Sequence, residues 1–323
     1  MKRFSNILLI ADEGTDYSAA LKRAVTLARN NQARLTICAV IDSVPGDMQM
    51  AITAVTSAEL RNIAVTEKRD WLDELVKSVA ADGEPVEAKV IIGKSFVEII
   101  RQVLENNHDL IIKCAEDTGD LRRMLFGSTD MHLMRKCPCP VWIIKPTEHH
   151  KYRRILAAVD QDMEEPVTDA LNRQILEMSS SLALAEFSEL HIVHAWDVVG
   201  EDIFRSLRSG ISDAEVDAMV DEEASARRRW LENLVKTYGR EADRNATDIL
   251  EPQLHLIQGH ARQVVPAKAN ELAADLVVMG TIARTGIAGF FMGNTAESIL
   301  TQLRCSVLTI KPPGFISPIT LEA

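Results

Sequence analysis

Ile7-Leu8-Leu9-Ile10-Ala11-Asp12 is an apolar run of strand length ending in an aspartate, and it returns as Ile155-Leu156-Ala157-Ala158-Val159-Asp160 at an offset of 148. A second run of this kind, Leu35 to Asp42, returns as Leu190 to Asp197 at an offset of 155, which places a gain of seven residues in the helix between the two runs. Further along, Gly93, Asp109, Gly127, Cys139 and Lys145-Pro146 return as Gly259, Asp275, Gly293, Cys305 and Lys311-Pro312, all at offset 166. The chain is therefore one module written twice, with domains expected at 1–146 and 152–313. The segment between them, Thr147 to Lys151, is about five residues, too short for the modules to swing on a tether.

Each module alternates strand and helix. The first reads as strand 6–12, helix 15–30, strand 34–41, helix 48–80, strand 86–92, helix 95–107, strand 109–115, helix 128–136 and strand 140–145. Short Val/Ile/Leu-rich runs between amphipathic helices predict a parallel sheet covered on both faces, five strands to a module. Right-handed crossovers make it a doubly wound, Rossmann-like α/β fold. Ligands of such sheets sit beyond the carboxyl ends of the strands, where strand order reverses. The loops after Ile10, Val40 and Ile112, with their counterparts in the second module, are the places to seek chemistry.

The 323 residues suffice for two domains, and 46% apolar with 26% charged residues is ordinary for a folded globular chain. No run reaches the roughly 18 apolar residues of a membrane span, and Met1-Lys2-Arg3-Phe4-Ser5 leads straight into a strand pattern, so a cytoplasmic protein is expected. Five cysteines, Cys38, Cys114, Cys137, Cys139 and Cys305, fit reduced thiols better than a disulfide framework. The net charge of −11 is uneven: residues 1–146 carry 19 basic and 20 acidic side chains, and 147–323 carry 17 and 27. That balance argues against a nucleic-acid partner, which needs clustered cations to displace counterions.

The second module carries Val277-Val278-Met279-Gly280-Thr281-Ile282-Ala283-Arg284-Thr285-Gly286, then Phe291-Met292-Gly293-Asn294-Thr295-Ala296-Glu297, and ends Cys305-Ser306-Val307-Leu308-Thr309-Ile310-Lys311-Pro312. This resembles the universal stress protein family, whose ATP-binding members carry Gly, two residues, Gly, nine residues, Gly, then Ser or Thr, between the fourth strand and the last helix. Gly280 and Gly293 stand at the first and third glycine positions, Ala283 at the middle one and Asn294 at the hydroxyl position, with Thr295 one residue later. Glycines let backbone approach a phosphate, and helix-start amides supply donors and a partial positive charge. The resemblance implies that Asp160 meets an adenine or ribose edge, that Ala195 and Met279 lie beside the base, and that Arg284 adds charge compensation. It implies ATP or another adenine nucleotide, with magnesium, in the second module. A second reading of the same residues stays open: Gly280 and Gly293 only shape the loop, and Asn294 or Thr295 caps the last helix.

The first module departs further. Cys114 and Asp117 stand where glycines would, and only Gly127-Ser128 survives. Asp12, Gly127, Ser128 and Thr129 are the weaker candidates here. Glu116, Asp117 and Asp120 bring negative charge that Arg122 and Arg123 offset only in part, so Ser128 or Thr129 reads better as a helix cap, with Asp130 suited to the positive helix end.

Cys137-Pro138-Cys139-Pro140 lacks zinc-type spacing and further ligands, and reads as a turn. His191 and His194 fall three apart on a strand, hence on opposite faces. No Ser/His/Asp elbow or GKS/GKT phosphate loop occurs, so no catalytic and no metal-only site is expected, and the protein reads as a small-ligand-binding regulator of stress resistance, not an enzyme. Two alternatives remain: an apolar or lipid-like ligand under the long helical regions 47–81 and 201–239, or a ligand-free scaffold for protein partners that uses acidic residues 213–223. The resemblance also implies that the two modules pair through their fifth strands as an intramolecular pseudo-dimer, with further homodimerisation open.

Overall fold

Five apolar runs of the first repeat form β1 (Asn6–Ile10), β2 (Arg34–Ile41), β3 (Val86–Ile92), β4 (Leu110–Cys114) and β5 (Val141–Ile144). Between them run α1 (Ser18–Asn31), α2 (Ser57–Val79), α3 (Ser95–Asn106) and α4 (Ser128–Lys136). The second repeat has β6 (Arg154–Ala158), α5 (Pro166–Glu186), β7 (Glu189–Trp196), α6 (Glu201–Phe204), α7 (Asp213–Ala242), β8 (Gln253–Gln258), α8 (Ala261–Glu271), β9 (Leu276–Gly280), α9 (Asn294–Leu300) and β10 (Ser306–Ile310). This computed structural model describes residues 4–42, 57–79, 86–116, 126–145, 151–161, 166–198, 200–206, 210–242, 250–281 and 292–321. The expected gain of seven residues falls where the offsets put it, since α1 has 14 residues and α5 has 21. Among the described residues no helix is long and apolar enough to cross a membrane.

Two compact units result. One gathers Arg3–His150 with Ser306–Ala323, and the other gathers Lys151–Arg284 with Gly293–Cys305. In the first unit the strands run in the order β3-β2-β1-β4-β5, all parallel. In the second unit the order is β8-β7-β6-β9, again all parallel. The chain moves outward from β1 through β2 to β3 and then returns past β1 to β4. Right-handed crossovers therefore put α1 and α2 on one face and α3 and α4 on the other, and α5 with α7 and α8 with α9 pack likewise in the second unit. β1 is buried along its whole length, as an inner strand covered on both faces must be.

The repeated residues hold the frame. Asp109 precedes β4 and accepts hydrogen bonds from the Ser5 N–H at 2.7 Å, the Ser5 hydroxyl at 2.8 Å and the Asn6 N–H at 3.0 Å, which pins the start of β1. Asp275 does the same for β6 through the Arg153 and Arg154 N–H groups at 2.6 and 2.9 Å. Gly93 and Gly259 sit at φ +146° and +135°, a region L side chains rarely enter, and bond back to Ile41 and Trp196. The repeat thus preserves backbone clamps as well as apolar strands.

β10 reaches beyond its own repeat. It belongs to the first unit, antiparallel to β5, with Val307 opposite Ile143 and Thr309 opposite Val141. The Ser306 hydroxyl accepts from the Lys145 N–H at 3.1 Å. Lys311, just past the strand, sends its ammonium to the carbonyls of Met134 and Arg135 at the end of α4, at 2.8 and 3.1 Å. The following tail accepts a bond from Arg101 of α3 at Thr320. Cys137 ends α4 by donating to Leu133, and its sulfur lies 3.4 Å from that of Cys139, a buried turn.

Burial lowers the Lys311 ammonium to about 7. In the unfolded chain the group holds its proton to about 10.4, so between these values the unfolded state binds more protons and stability rises with pH, by at most about 1.4 kcal/mol per pH unit. Lys311→Met is expected to flatten that rise between pH 7 and 10; identical slopes for both chains in urea titrations would contradict it. Asp275→Ala leaves two strand-leading N–H groups without their charged acceptor, and a loss of about 1.5–3 kcal/mol is expected in the same assay.

Candidate functional site

Strand order reverses between β6, which leads to β7 on one side, and β9 on the other, so a crevice opens beyond their carboxyl ends. The structure has a cavity of about 530 Å³ there. Asp160, Ala195, Met279, Gly280, Gly293, Asn294 and Thr295 all line it. Ala283 and Arg284 lie outside the described residues.

The floor is built from strand ends. Ala158, Val159, Ala195 and Met279 present small or apolar surface, with Met279 buried. Asp160 is fixed by α5: its N–H donates to Asn172 Oδ1 at 3.1 Å, and Asn172 Nδ2 donates to its carbonyl at 2.6 Å. One carboxylate oxygen accepts from the Gln161 N–H at 2.9 Å. Leu171, one residue from Asn172, lies against Gly280 so closely that a Cβ there would stand 2.5 Å from Leu171 Cδ2. A side chain at position 280 would therefore have to displace Leu171, whatever the crevice binds.

The opposite wall is the start of α9. Gly293 is the N-cap, extended at φ −63° and ψ 141°, and its N–H donates to the Thr281 carbonyl at 3.1 Å. The expected capping by Asn294 or Thr295 gives way to this glycine, because the helix begins at Asn294 itself. The first backbone bond of the helix runs from Glu297 to Gly293, which leaves the amides of Asn294, Thr295 and Ala296 in the cavity wall without an intrahelical acceptor.

Sequence reasoning missed the third side. Asp197, at the end of β7, pairs with His260 at 3.0 Å, and Arg262 lies beside them on the first turn of α8. Among the described residues Arg262, which follows the repeated Gly259, is a cation of this crevice that the sequence did not single out. Repeated Asp197 and Gly259 were the available signal, since each ends a strand facing the switch point. Among the described residues none of α7 lines the cavity, although α7 occupies much of the region read as a possible lid.

The equivalent place in the first repeat is built differently. Asp12 is exposed and turns its carboxylate to the Gly14 N–H at 3.1 Å. Gly127 is the N-cap of α4, Ser128 is exposed and Thr129 half-buried. The capping comes from neither hydroxyl. Asp130, fully buried, accepts from the Gly127 N–H at 3.3 Å and the Glu116 N–H at 3.1 Å, and pairs with Lys113 at 2.8 Å. Burial pushes the Asp130 carboxyl above its usual range, with Lys113 and the Glu116 N–H opposing the rise. The two β-strand histidines are on opposite faces as expected: His191 meets His255 at 3.1 Å, and His194 meets the Val159 carbonyl and the Trp230 ring.

A family model for the universal stress protein family matches residues 3–145 and, a second time, 151–311. The chain belongs to the universal stress protein family. It is similar to Universal stress protein E of Escherichia coli K12, 32% identical over 324 residues, spanning 100% of this chain and 98% of the relative. A Universal stress protein E homolog of Haemophilus influenzae is 27% identical, with 96% and 98% of the chains covered. Among solved structures, a functionally unknown protein of Pseudomonas aeruginosa PAO1 is similar at a TM-score of 0.69 and 25% identity, covering 96% of this chain and 93% of that one. A universal stress protein from Archaeoglobus fulgidus, at a TM-score of 0.60 and 19% identity over 95% and 98% of the chains, shares the fold. As a tandem universal stress protein, the chain is stress-related, and its two copies differ at the starts of α4 and α9.

Gly280→Ala is expected to cost about 1–3 kcal/mol through the clash with Leu171. The cost should shrink in a Leu171→Val background, and equal losses in both backgrounds by denaturant titration would refute the contact.

Proposed function

We propose that this universal stress protein is a ligand-binding regulator whose second repeat takes ATP or a related adenine nucleotide, with magnesium, in the crevice between β6 and β9. The observation that carries this reading is the convergence of Asp160, Ala195, Met279, Gly280, Gly293, Asn294 and Thr295, spread over 136 positions of sequence, on one cavity of about 530 Å³. The two ends of that cavity suit a nucleotide. Val159, Ala195 and Met279 offer a flat apolar surface to a base, while the open amides at the start of α9 suit a phosphate. Arg262 supplies a cation, and Asp160 can accept from a ribose hydroxyl or hold the magnesium.

In this reading the protein binds and senses, and does not turn its ligand over. It acts in the cytoplasm, with 1–146 and 152–313 as its two domains. The antiparallel pairing of β5 with β10 supports an intramolecular pseudo-dimer of the repeats. Other protein partners and a homodimer are compatible with it, and nucleic acid is not among the ligands proposed.

Purified protein is expected to release an adenine nucleotide on denaturation, identified by mass spectrometry, and to bind ATP by calorimetry. Gly293→Val should weaken that binding at least about tenfold, whereas Gly127→Val in the first repeat should leave it unchanged. Absence of binding, or loss with Gly127→Val and not with Gly293→Val, would overturn the assignment. ATP hydrolysis that disappears with Asp160→Ala would overturn the non-enzymatic reading.

A further inference from the structure

The two repeats differ at a pair of positions that neither glycine pattern nor charge count singles out. Lys113 and Asp130 of the first repeat correspond, at the common offset of 166, to Met279 and Ala296 of the second. Met279 and Ala296 line the open crevice. Lys113 and Asp130 instead close theirs. Lys113, the fourth residue of β4, is 5% exposed, and its ammonium reaches Asp130 Oδ1 at 2.8 Å and the Cys114 carbonyl at 3.0 Å. Asp130, in the first turn of α4 and fully buried, uses its other oxygen to accept from the Glu116 and Gly127 N–H groups at 3.1 and 3.3 Å. One carboxylate thus collects a buried cation, a loop amide and the N-cap amide of a helix. Glu116 adds a second anion: its Oε1 lies 3.7 Å from Lys113, and its carboxylate covers Gly127 so that a Cβ there would overlap it.

We propose that Asp130 acts as a built-in anion which occupies, in the first repeat, the position a ligand phosphate would take, and that Lys113 and Asp130 are the residues that restrict phosphate-type ligands to the second repeat. A buried lysine left without a counterion is strongly disfavoured, so the cation and the carboxylate are retained or lost together. A phosphate entering here would have to displace a covalently attached carboxylate at very high effective concentration, and would meet Glu116 as well. The second repeat has Met279 and Ala296 at these positions, with neither that lysine nor that carboxylate, and its helix start lines the crevice. The inference concerns the first repeat and holds whether or not the second binds a nucleotide.

Chemical rescue tests it. Asp130→Ala empties a carboxylate-sized space that Lys113 Nζ and two backbone N–H groups face, so its unfolding midpoint should fall by roughly 5–15 °C. Formate or acetate at about 100 mM and pH 7 should restore at least about half of that loss, against sodium chloride at equal ionic strength, by filling the space as free anions. The double variant Lys113→Met with Asp130→Ala, which copies the second repeat, should regain most of the stability and show no response to formate. If Asp130→Ala does not fold, Lys113→Met carries the same test: it strands the carboxylate, and adding Asp130→Ala should raise its midpoint. A formate response no larger than that of chloride in Asp130→Ala, or a double variant no more stable than the single ones, overturns the proposal.

Discussion

Reversal of strand order at β1 and again at β6 is the constraint on which the rest of this molecule depends. Two parallel strands leave each of these in opposite directions, so their following loops diverge and cannot cover the strand ends between them. Every feature of chemical interest faces that gap: Asp160, the β7 end with Asp197, the β9 end with Met279, and the first turn of α9. The aspartates before β4 and β9 hold the neighbouring strand starts, so the opposite ends of the strands stay in register without help from a ligand.

A fold that builds such a gap twice must deal with it twice, because helix-start amides and strand-end carbonyls are polar groups that need partners. The second repeat leaves an apolar-floored crevice walled by three helix amides that have no intrahelical acceptor. The first repeat spends a carboxylate and a lysine on the same problem and closes it from within. Duplication supplied the architecture. Divergence at Lys113 and Asp130 made the copies chemically unequal.

The last strand binds the chain's end to its beginning. β10 pairs with β5, and Lys311 then delivers its ammonium to the open carbonyls of α4, a place where a helix favours positive charge. Lys145 and Lys311 were visible as a repeated Lys-Pro, yet nothing local tells that the second of them caps a helix of the first repeat. The edge strand that a single module would expose is covered by a strand from the other copy.

Strand and helix alternation, the extent of α3, α4, β2 and β3, the seven-residue gain in α5 and the glycines at Gly93 and Gly259 were all legible in the sequence, because each rests on apolar periodicity or on backbone conformations that only certain residues adopt. The strand-end and glycine positions around the second crevice were legible for the same reason, with a family pattern to align them. The partners were not. Asp130 instead of Ser128 as the cap, Leu171 against Gly280, His260 with Asp197, Arg262 on the crevice wall and Lys311 on α4 join residues that are as much as 177 positions apart. Such pairs are selected by how helices seat on a twisted sheet, and only the packed structure decides which side chain fills which space.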